Sequence, residues 1–320
     1  MTRITRRRLG LGLATVAALA ATPLSGMAQS DRSKVALPTI SRRKVGKVEI
    51  TALSDGFVDI PIGVFTGAPT PEIEKAFARH FARRPDGTYR LGFTQWLVDD
   101  GDRLVLIDSG YAGATKTTGH LADVLTVLGV EAKDIDAVLI THMHDDHTSG
   151  LVTPEGTHAF PNADVFIHRD DVAYFTDETR AAAAPDILKR SFAVGKQVAA
   201  LPRLQRYDGE RSLTAAISAV DLRGHTPGHM GYRISDGGES LMIVGDALFH
   251  PAIHPGRTDI GIAFEPDPAA AAAMRRKLFP RAAEEQALLA ATHMPFPGFG
   301  RIVREKDGLL WAPADWELSG

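Results

Sequence analysis

No cysteine occurs among the 320 residues of this chain, which excludes disulfides, thiolate metal ligands and a cysteine nucleophile together. A Gly-x-Ser-x-Gly elbow is also missing, so nothing points to a serine nucleophile. The small-residue apolar run Leu9–Ala21 falls short of the roughly 18 residues that a membrane span needs, and no stable span is expected. Positive charge is scarce where a nucleic-acid surface would require it. Residues 1–28 hold four arginines and no acid, leaving 32 basic against 39 acidic side chains beyond them, a net charge of -7. No repeat of fixed period is visible, and only the alanine runs at 181–184 and 269–273 are of low complexity.

What is present begins with 44% hydrophobic content, enough to bury a large core as one domain or as two halves sharing an interface. Residues 1–28 run from basic (Arg3, Arg6, Arg7, Arg8) through apolar to Gly26-Met27-Ala28, the order of a secretory signal. Thr5-Arg6-Arg7-Arg8-Leu9-Gly10 resembles the twin-arginine motif, which implies passage through that export machinery, cleavage near Ala28 and a periplasmic or secreted product. Residues 29–45, polar with Pro38, read as a linker or N-terminal arm, and 46–320 as a single domain.

From Val48 short apolar runs alternate with amphipathic ones, an α/β pattern. Strands are expected at Val48–Leu53, Gln95–Val98 and Leu104–Ile107, the last two joined as a hairpin by Asp99-Asp100-Gly101-Asp102. His120–Leu128 has helical spacing, and Ala137–Ile140 is a continuous apolar run, the mark of a strand covered on both faces. Asp170–Val198 reads as mostly helical. Later strands are expected at Ile217–Leu222, Tyr232–Ser235, Leu241–Val244 and Ala287–Ala291, with Asp236-Gly237-Gly238 as a second hairpin turn. Asp267-Pro268 caps a helix over Ala269–Phe279.

The strand at 137–140 runs into Thr141-His142-Met143-His144-Asp145-Asp146-His147. Residues i and i+2 of an extended segment point the same way, so His142 and His144 can reach one cation. Asp146 and His147 are adjacent and diverge, which lets them serve a second cation beside the first. Further ligands must come from elsewhere. His229, Asp246 and His293 each follow the carboxyl end of an expected strand, where α/β sheets place their sites. Asp108 falls there too and is expected, like His225, to orient a ligating group from behind. A lone histidine after a strand is ordinarily a loop residue, whereas three imidazoles and a carboxylate within six residues have few structural uses. The remaining histidines (His80, His120, His158, His168, His250, His254) are expected at the surface, behind the ligands or in a pocket, with His250 and His254 nearest the site.

In order along the chain, Asp108, His142-x-His144-x-Asp146-His147, His229, Asp246 and His293 resemble the five motifs of the metallo-β-lactamase-fold superfamily. The flanking Gly92-Phe93-Thr94-Gln95-Trp96, His225-Thr226-Pro227-Gly228-His229 and Thr292-His293-Met294-Pro295-Phe296-Pro297-Gly298 look most like its exported methyl parathion hydrolase and lactonase members. The resemblance implies a four-layer αββα sandwich of two similar halves, with the site at their interface. It implies His142, His144 and His229 around one ion, Asp146, His147 and His293 around another, and Asp246 bridging both. True metallo-β-lactamases lack an aspartate at that motif, which argues against antibiotic hydrolysis. Nitrogen and oxygen donors suit two Zn ions, with Mn, Fe or Co as alternatives, and the related enzymes are commonly homodimers.

Two such ions sharing a water lower its pKa from about 15.7 towards neutrality, so that Asp146 and Asp246 act through metal-bound hydroxide on a small-molecule ester. Phe65, Phe175, Phe192, Phe249, Phe264 and Phe296, with Phe299, are the aromatics from which an apolar pocket is expected. Organophosphate triesters or aryl esters come first as substrates, acyl-homoserine lactones second and glyoxalase-II-like thioesters third. A periplasmic metal-binding protein without turnover is the alternative of another class.

Overall fold

Two antiparallel strands, β1 (Ile40–Val45) and β2 (Val48–Pro61), begin the computed structural model of the chain, which describes residues 39–317. All of these lie in the second of two units into which the chain divides, Pro38–Gly320. The export-signal reading of residues 1–28 and most of the arm at 29–45 lie outside the described residues. After β2 come β3 (Phe65–Thr66), α1 (Thr70–Arg79), β4 (Thr88–Asp99), β5 (Leu104–Ile107), α2 (Leu121–Val127), β6 (Ala137–Leu139) and α3 (Asp145–Thr148). β7 (Asp164–His168), α4 (Arg169–Phe175), α5 (Glu178–Ala183), α6 (Asp186–Ala199) and β8 (Leu204–Tyr207) complete the first half. The second half holds β9 (Arg211–Ser212), β10 (Ile217–Asp221), β11 (Met230–Asp236), β12 (Glu239–Ile243), β13 (Gly261–Ile262), α7 (Pro268–Glu284), β14 (Leu288–Ala290), β15 (Phe299–Glu305) and β16 (Gly308–Pro313).

The first sheet has the order β1-β2-β4-β5-β6-β7-β8, antiparallel as far as β5 and parallel beyond it. The second has the order β16-β15-β14-β12-β11-β10-β9, and β12 with β14 is its parallel pair. β3 and β13 form a separate two-stranded ribbon. Three apolar layers fix the stacking. Ile50, Trp96, Val105 and Leu139 of the first sheet face Tyr232, Ile234 and Ile243 of the second. Leu106 and Val138 pack outward on Leu121, Val172 and Phe192 of α2, α4 and α6, while Met242 and Leu289 pack outward on Met274 and Leu278 of α7. The result is the expected αββα sandwich. Each fully buried Leu or Ile in these layers is worth about 1.5–3 kcal/mol in transfer free energy, so the layers outweigh the local preferences of any one strand.

Both hairpin turns form where expected. The Asp99 and Asp100 carboxylates accept from the N–H groups of Gly101, Asp102 and Arg103, and Gly237 and Gly238 take the positive φ values that their turn requires. Asp267 caps α7 by accepting from the N–H groups of Ala269 and Ala270. That helix continues to Glu284, past the expected end at Phe279. Two readings of the N-terminal region change. Residues 40–45, read as part of an arm, are an edge strand whose alternating polar residues conceal it. β2 extends eight residues beyond Leu53, through a register shift at Ser54/Gly56, and runs with β4 up to the cavity described below.

Candidate metal centre

The segment after β6 leaves Thr141–Met143 without helical pairing, and α3 starts only at Asp145 with His144 as its N-cap residue. His142 and His144 therefore converge: His142 Nε2 lies 2.9 Å from His144 Nδ1. Asp146 and His147, in the first turn of the helix, are directed to a second position, where His147 Nε2 and His293 Nε2 lie 3.5 and 3.4 Å from Asp146 Oδ2. Asp246 sits between the two groups. Its Oδ2 is 3.2 Å from His225 Nε2 and 3.1 Å from His293 Nε2, and its Oδ1 is 3.2 Å from His147 Nε2.

The structure brings His225, not the expected His229, to the first position. His225 Nε2 lies 3.0 Å from His144 Nδ1, and His142, His144, His225 and Asp246 form one group of mutually close donor atoms, Asp146, His147 and His293 the other. His229 is buried beside them but faces the protein. Its Nδ1 meets the Leu222 carbonyl at 3.0 Å, and its Nε2 accepts the N–H of Asp246 at 3.1 Å. The cause is the turn after β10: the first histidine of His225-Thr226-Pro227-Gly228-His229 sits at the turn and reaches inward, whereas the second already leads into β11. Gly245 is part of the same arrangement, since a Cβ there would lie 2.7 Å from His229 Nε2.

Asp108 lies behind His147. Its φ of 60° is a left-handed conformation that few non-glycine residues adopt, and its carboxylate accepts from the backbone N–H of Thr141 at 2.8 Å and meets His147 Nδ1 at 2.8 Å. His293 Nδ1 is likewise anchored, 2.9 Å from the Gly92 carbonyl. Sequence reasoning missed Asp171, Glu265 and Arg275. The buried Asp171 carboxylate accepts from Met143 N, Thr226 Oγ1 and Gly228 N, tying both histidine loops to α4, and burial pushes it up to about 6. Nothing in its local sequence separates it from the helix-start carboxylate beside it. His250 stacks on Phe77, and His254 bridges Phe249 N and Ile260 O; neither joins the donor groups.

Electrostatics set these donors apart from an ordinary buried cluster. Burial drives His142 and His144 down, the latter to about 3. Burial also opposes charge on His147, His225 and His293, yet the surrounding carboxylates, Asp246 foremost for His225 and His293 and Asp146 for His147, lift all three. Against its own burial, Asp246 is held well below the carboxylate range by His293, His147 and His142. The carboxylates thus call for positive charge, which either protons or cations can provide. His147 Nε2 and Asp246 Oδ1 are buried without a hydrogen-bond partner, and every donor is nitrogen or oxygen, so the residues fit two divalent cations of the Zn, Mn, Fe or Co type.

A cavity of about 360 Å³ opens over this centre, with His144, Asp146, Asp246 and His293 in its floor. Its apolar lining is Val58, Ile60, Val64, Leu91 and Phe93, which cluster with Phe249 and Phe264, together with Pro61 and with Ile187 and Leu188 of α6, and Tyr111, Thr115, Asp145 and Ser191 are further polar members. Of the phenylalanines named from the sequence, Phe249 and Phe264 line this cavity. Phe65 is buried under the β3 ribbon, Phe175 and Phe192 lie in the core beneath α6, and Phe296 and Phe299 pack between the sheets. Phe175 still meets His144 edge-on at 5.6 Å. A larger cleft of about 700 Å³ between α7 and the second sheet has no histidine in its lining.

The sequence profile of the Metallo-beta-lactamase superfamily matches residues 94–293, a span that contains every donor named above, and the chain belongs to that superfamily. Among solved structures it is similar to a hydrolase of the beta-lactamase superfamily, AbOPH (28% identity, TM-score 0.81, 88% of this chain and 100% of that one). It is also similar to AidC, a dizinc quorum-quenching lactonase solved with its product N-hexanoyl-L-homoserine (27% identity, TM-score 0.80, 88% and 99%). A curated relative is the hydroxyacylglutathione hydrolase of Aliivibrio salmonicida (strain LFI1238), 27% identical over 159 residues, 48% of this chain and 46% of that protein. The chain spans about half the length of the curated relatives it matches. No helix among the described residues is long and apolar enough to cross a membrane.

Proposed function

We propose that this chain is a two-metal hydrolase of uncharged esters, and that lactones carrying an apolar acyl chain are the substrates it suits best. One observation carries this reading: the cavity over Asp146, Asp246 and His293 is walled by aliphatic and phenyl groups and contains no lysine or arginine. A glutathione thioester or another anionic substrate would meet the carboxylates of Asp145, Asp146 and Asp246 there, and the adjoining Arg190 guanidinium is already engaged by Asp145 at 3.0 Å, whereas a neutral ester brings no charge to be met. When bound, divalent cations supply Lewis acidity to the ester oxygen and acidify a water. His142, His144, His225 and Asp246 would hold one, Asp146, His147 and His293 the other, with Asp246 shared. Phe249, Phe264 and the β2–β4 wall hold the apolar chain and exclude bulk water. Tyr111, whose phenol is pushed up by burial and stays protonated, offers a donor to an ester oxygen. The likeness to AidC, a lactonase over nearly its whole length, supports the lactone over other esters.

A second reading, aryl esters or organophosphate triesters, draws on the three phenyl rings of Phe93, Phe249 and Phe264 in the same wall. The test is a substrate panel for the Zn-, Mn- and Co-loaded protein: acyl-homoserine lactones, p-nitrophenyl esters, a phosphotriester and a glutathione thioester. Lactone turnover above the others is expected. Preference for the phosphotriester or aryl ester would install the second reading, and metal uptake without any turnover would leave a binding protein. We further propose twin-arginine export and a periplasmic location from residues 1–28, checked by N-terminal sequencing of periplasmic material, and a homodimer, checked by light scattering.

A further inference from the structure

Glu265, just before α7, and Arg275, within it, form an ion pair whose side chains are both wholly buried. Burying two charges is costly unless the remaining hydrogen bonds are satisfied, and here they are satisfied by the peptides at 246–247 and 260–262 and by His225. Arg275 Nε donates to the Ala247 carbonyl at 3.1 Å and Nη1 to the Ile260 carbonyl at 3.2 Å, with Nη2 directed to Glu265 and the Asp246 carbonyl. Glu265 Oε2 accepts the Ile262 N–H at 3.2 Å, and Oε1 lies 3.3 Å from His225 Nδ1. With its Nδ1–H turned to Glu265, the imidazole presents the Nε2 lone pair to His144 and Asp246. Carboxylate, imidazole and cation in that order is how metal-bound histidines are oriented.

We propose that the buried Glu265–Arg275 pair is a positioning device for the first cation position, in which Glu265 sets the His225 imidazole and Arg275 holds the peptide that carries Asp246. This inference rests on the two-metal reading of the site. The histidines of the second position have other supports, Asp108 behind His147 and the Gly92 carbonyl behind His293, so the hold of Glu265 on His225 acts on the first position alone, while Arg275 acts through Asp246, which both positions share. A pair that only filled the core would have no such bias.

The experiment titrates full-length protein with Co(II), and with Zn(II) against a chelator, for the native chain, Glu265→Gln, His225→Ala and the double variant. The native chain is expected to take up two equivalents. Glu265→Gln is expected to weaken one of them by about 10- to 100-fold and leave the other, with loss of one component of the Co(II) visible spectrum. The double variant should bind no more weakly than His225→Ala alone, because Glu265 acts through His225. Equal weakening of both positions, or two unchanged equivalents, overturns the inference and leaves the two-metal reading intact. No uptake by the native chain overturns that reading itself. Should Glu265→Gln fail to fold by circular dichroism, Glu265→Asp, which keeps the charge for Arg275 but draws the carboxylate back from His225, carries the same measurement, with the same selective loss expected.

Discussion

The backbone N–H of Asp246 donates to Nε2 of His229 at 3.1 Å, so the lone pair that a cation would need on that imidazole is already engaged by a peptide. Four residues earlier, His225 Nε2 faces His144 and Asp246. His225→Ala is therefore expected to lose one metal equivalent and about two orders of magnitude or more in kcat/KM, an effect of the size that removing a transition-state-stabilising group produces. His229→Ala should keep both equivalents and instead lower stability, since it orphans the Asp246 N–H at a cost of about 1–3 kcal/mol. Metal analysis with thermal melts separates the two, and the opposite pattern would restore His229 as the ligand.

Asp108 joins the second position to the fold by accepting from Thr141 and His147 within a buried, left-handed turn. Asp108→Asn preserves size but offers His147 a weaker acceptor and no charge. An affinity loss of about 10- to 100-fold at the second position is expected, read by chelator competition, while the Co(II) signature of the first position stays.

The apolar wall sets chain length. Val64 lines the cavity from the short helical turn between β2 and β3, so Val64→Trp should fill space that a long acyl chain occupies. Activity on long-chain lactones is expected to fall by about tenfold or more relative to short-chain ones, since one or two methylenes lost from a pocket are worth about 1–3 kcal/mol. An unchanged ratio of long- to short-chain kcat/KM would place the chain elsewhere.

Acid sensitivity should have an identifiable contributor at His254. Burial holds this histidine down to about 3, and its Nε2–H donates to the Ile260 carbonyl. Below pH 6.5 the unfolded chain takes up a proton that the folded one refuses, so the stabilising difference is intact above that pH and is lost as pH falls from about 6.5 towards 3. At pH 5 the loss from this site is about 2 kcal/mol. Urea denaturation at pH 7 and 5 should show His254→Gln, which keeps an N–H donor, losing correspondingly less over that interval than the native chain.

Much of this architecture was legible in the sequence because burial left a period or a run behind it. Ala137–Leu139 is apolar throughout since both faces are covered, and the Asp-rich and Gly-Gly turns announce their hairpins. β1 was not legible: Arg42, Arg43 and Lys44 belong to an edge strand with one face in water, and such residues look the same in a loop. At the centre, spacing pointed to His142, His144, Asp146 and His147, and strand ends with the family resemblance pointed to Asp246 and His293. The resemblance makes His229 the ligand, with His225 expected as its support, and the structure reverses them, because direction inside a tight turn depends on backbone angles that residue types alone do not fix. The supporting carboxylates Asp171 and Glu265 were invisible for a similar reason, since their partners are distant in sequence and the contacts are made only after the sheets stack.

The donors and the walls come from different parts of the chain. Every donor lies within residues 94–293, whereas Val58, Ile60, Pro61, Val64, Leu91 and Phe93 precede residue 94. The reacting centre and part of its substrate gallery are thus carried on separable stretches of polypeptide. Residues 58–91, which stop short of the Gly92 carbonyl behind His293, form a natural graft: exchanged for the equivalent strand-and-helix segment of another superfamily member, they should transplant substrate preference while leaving the cation-holding scaffold in place.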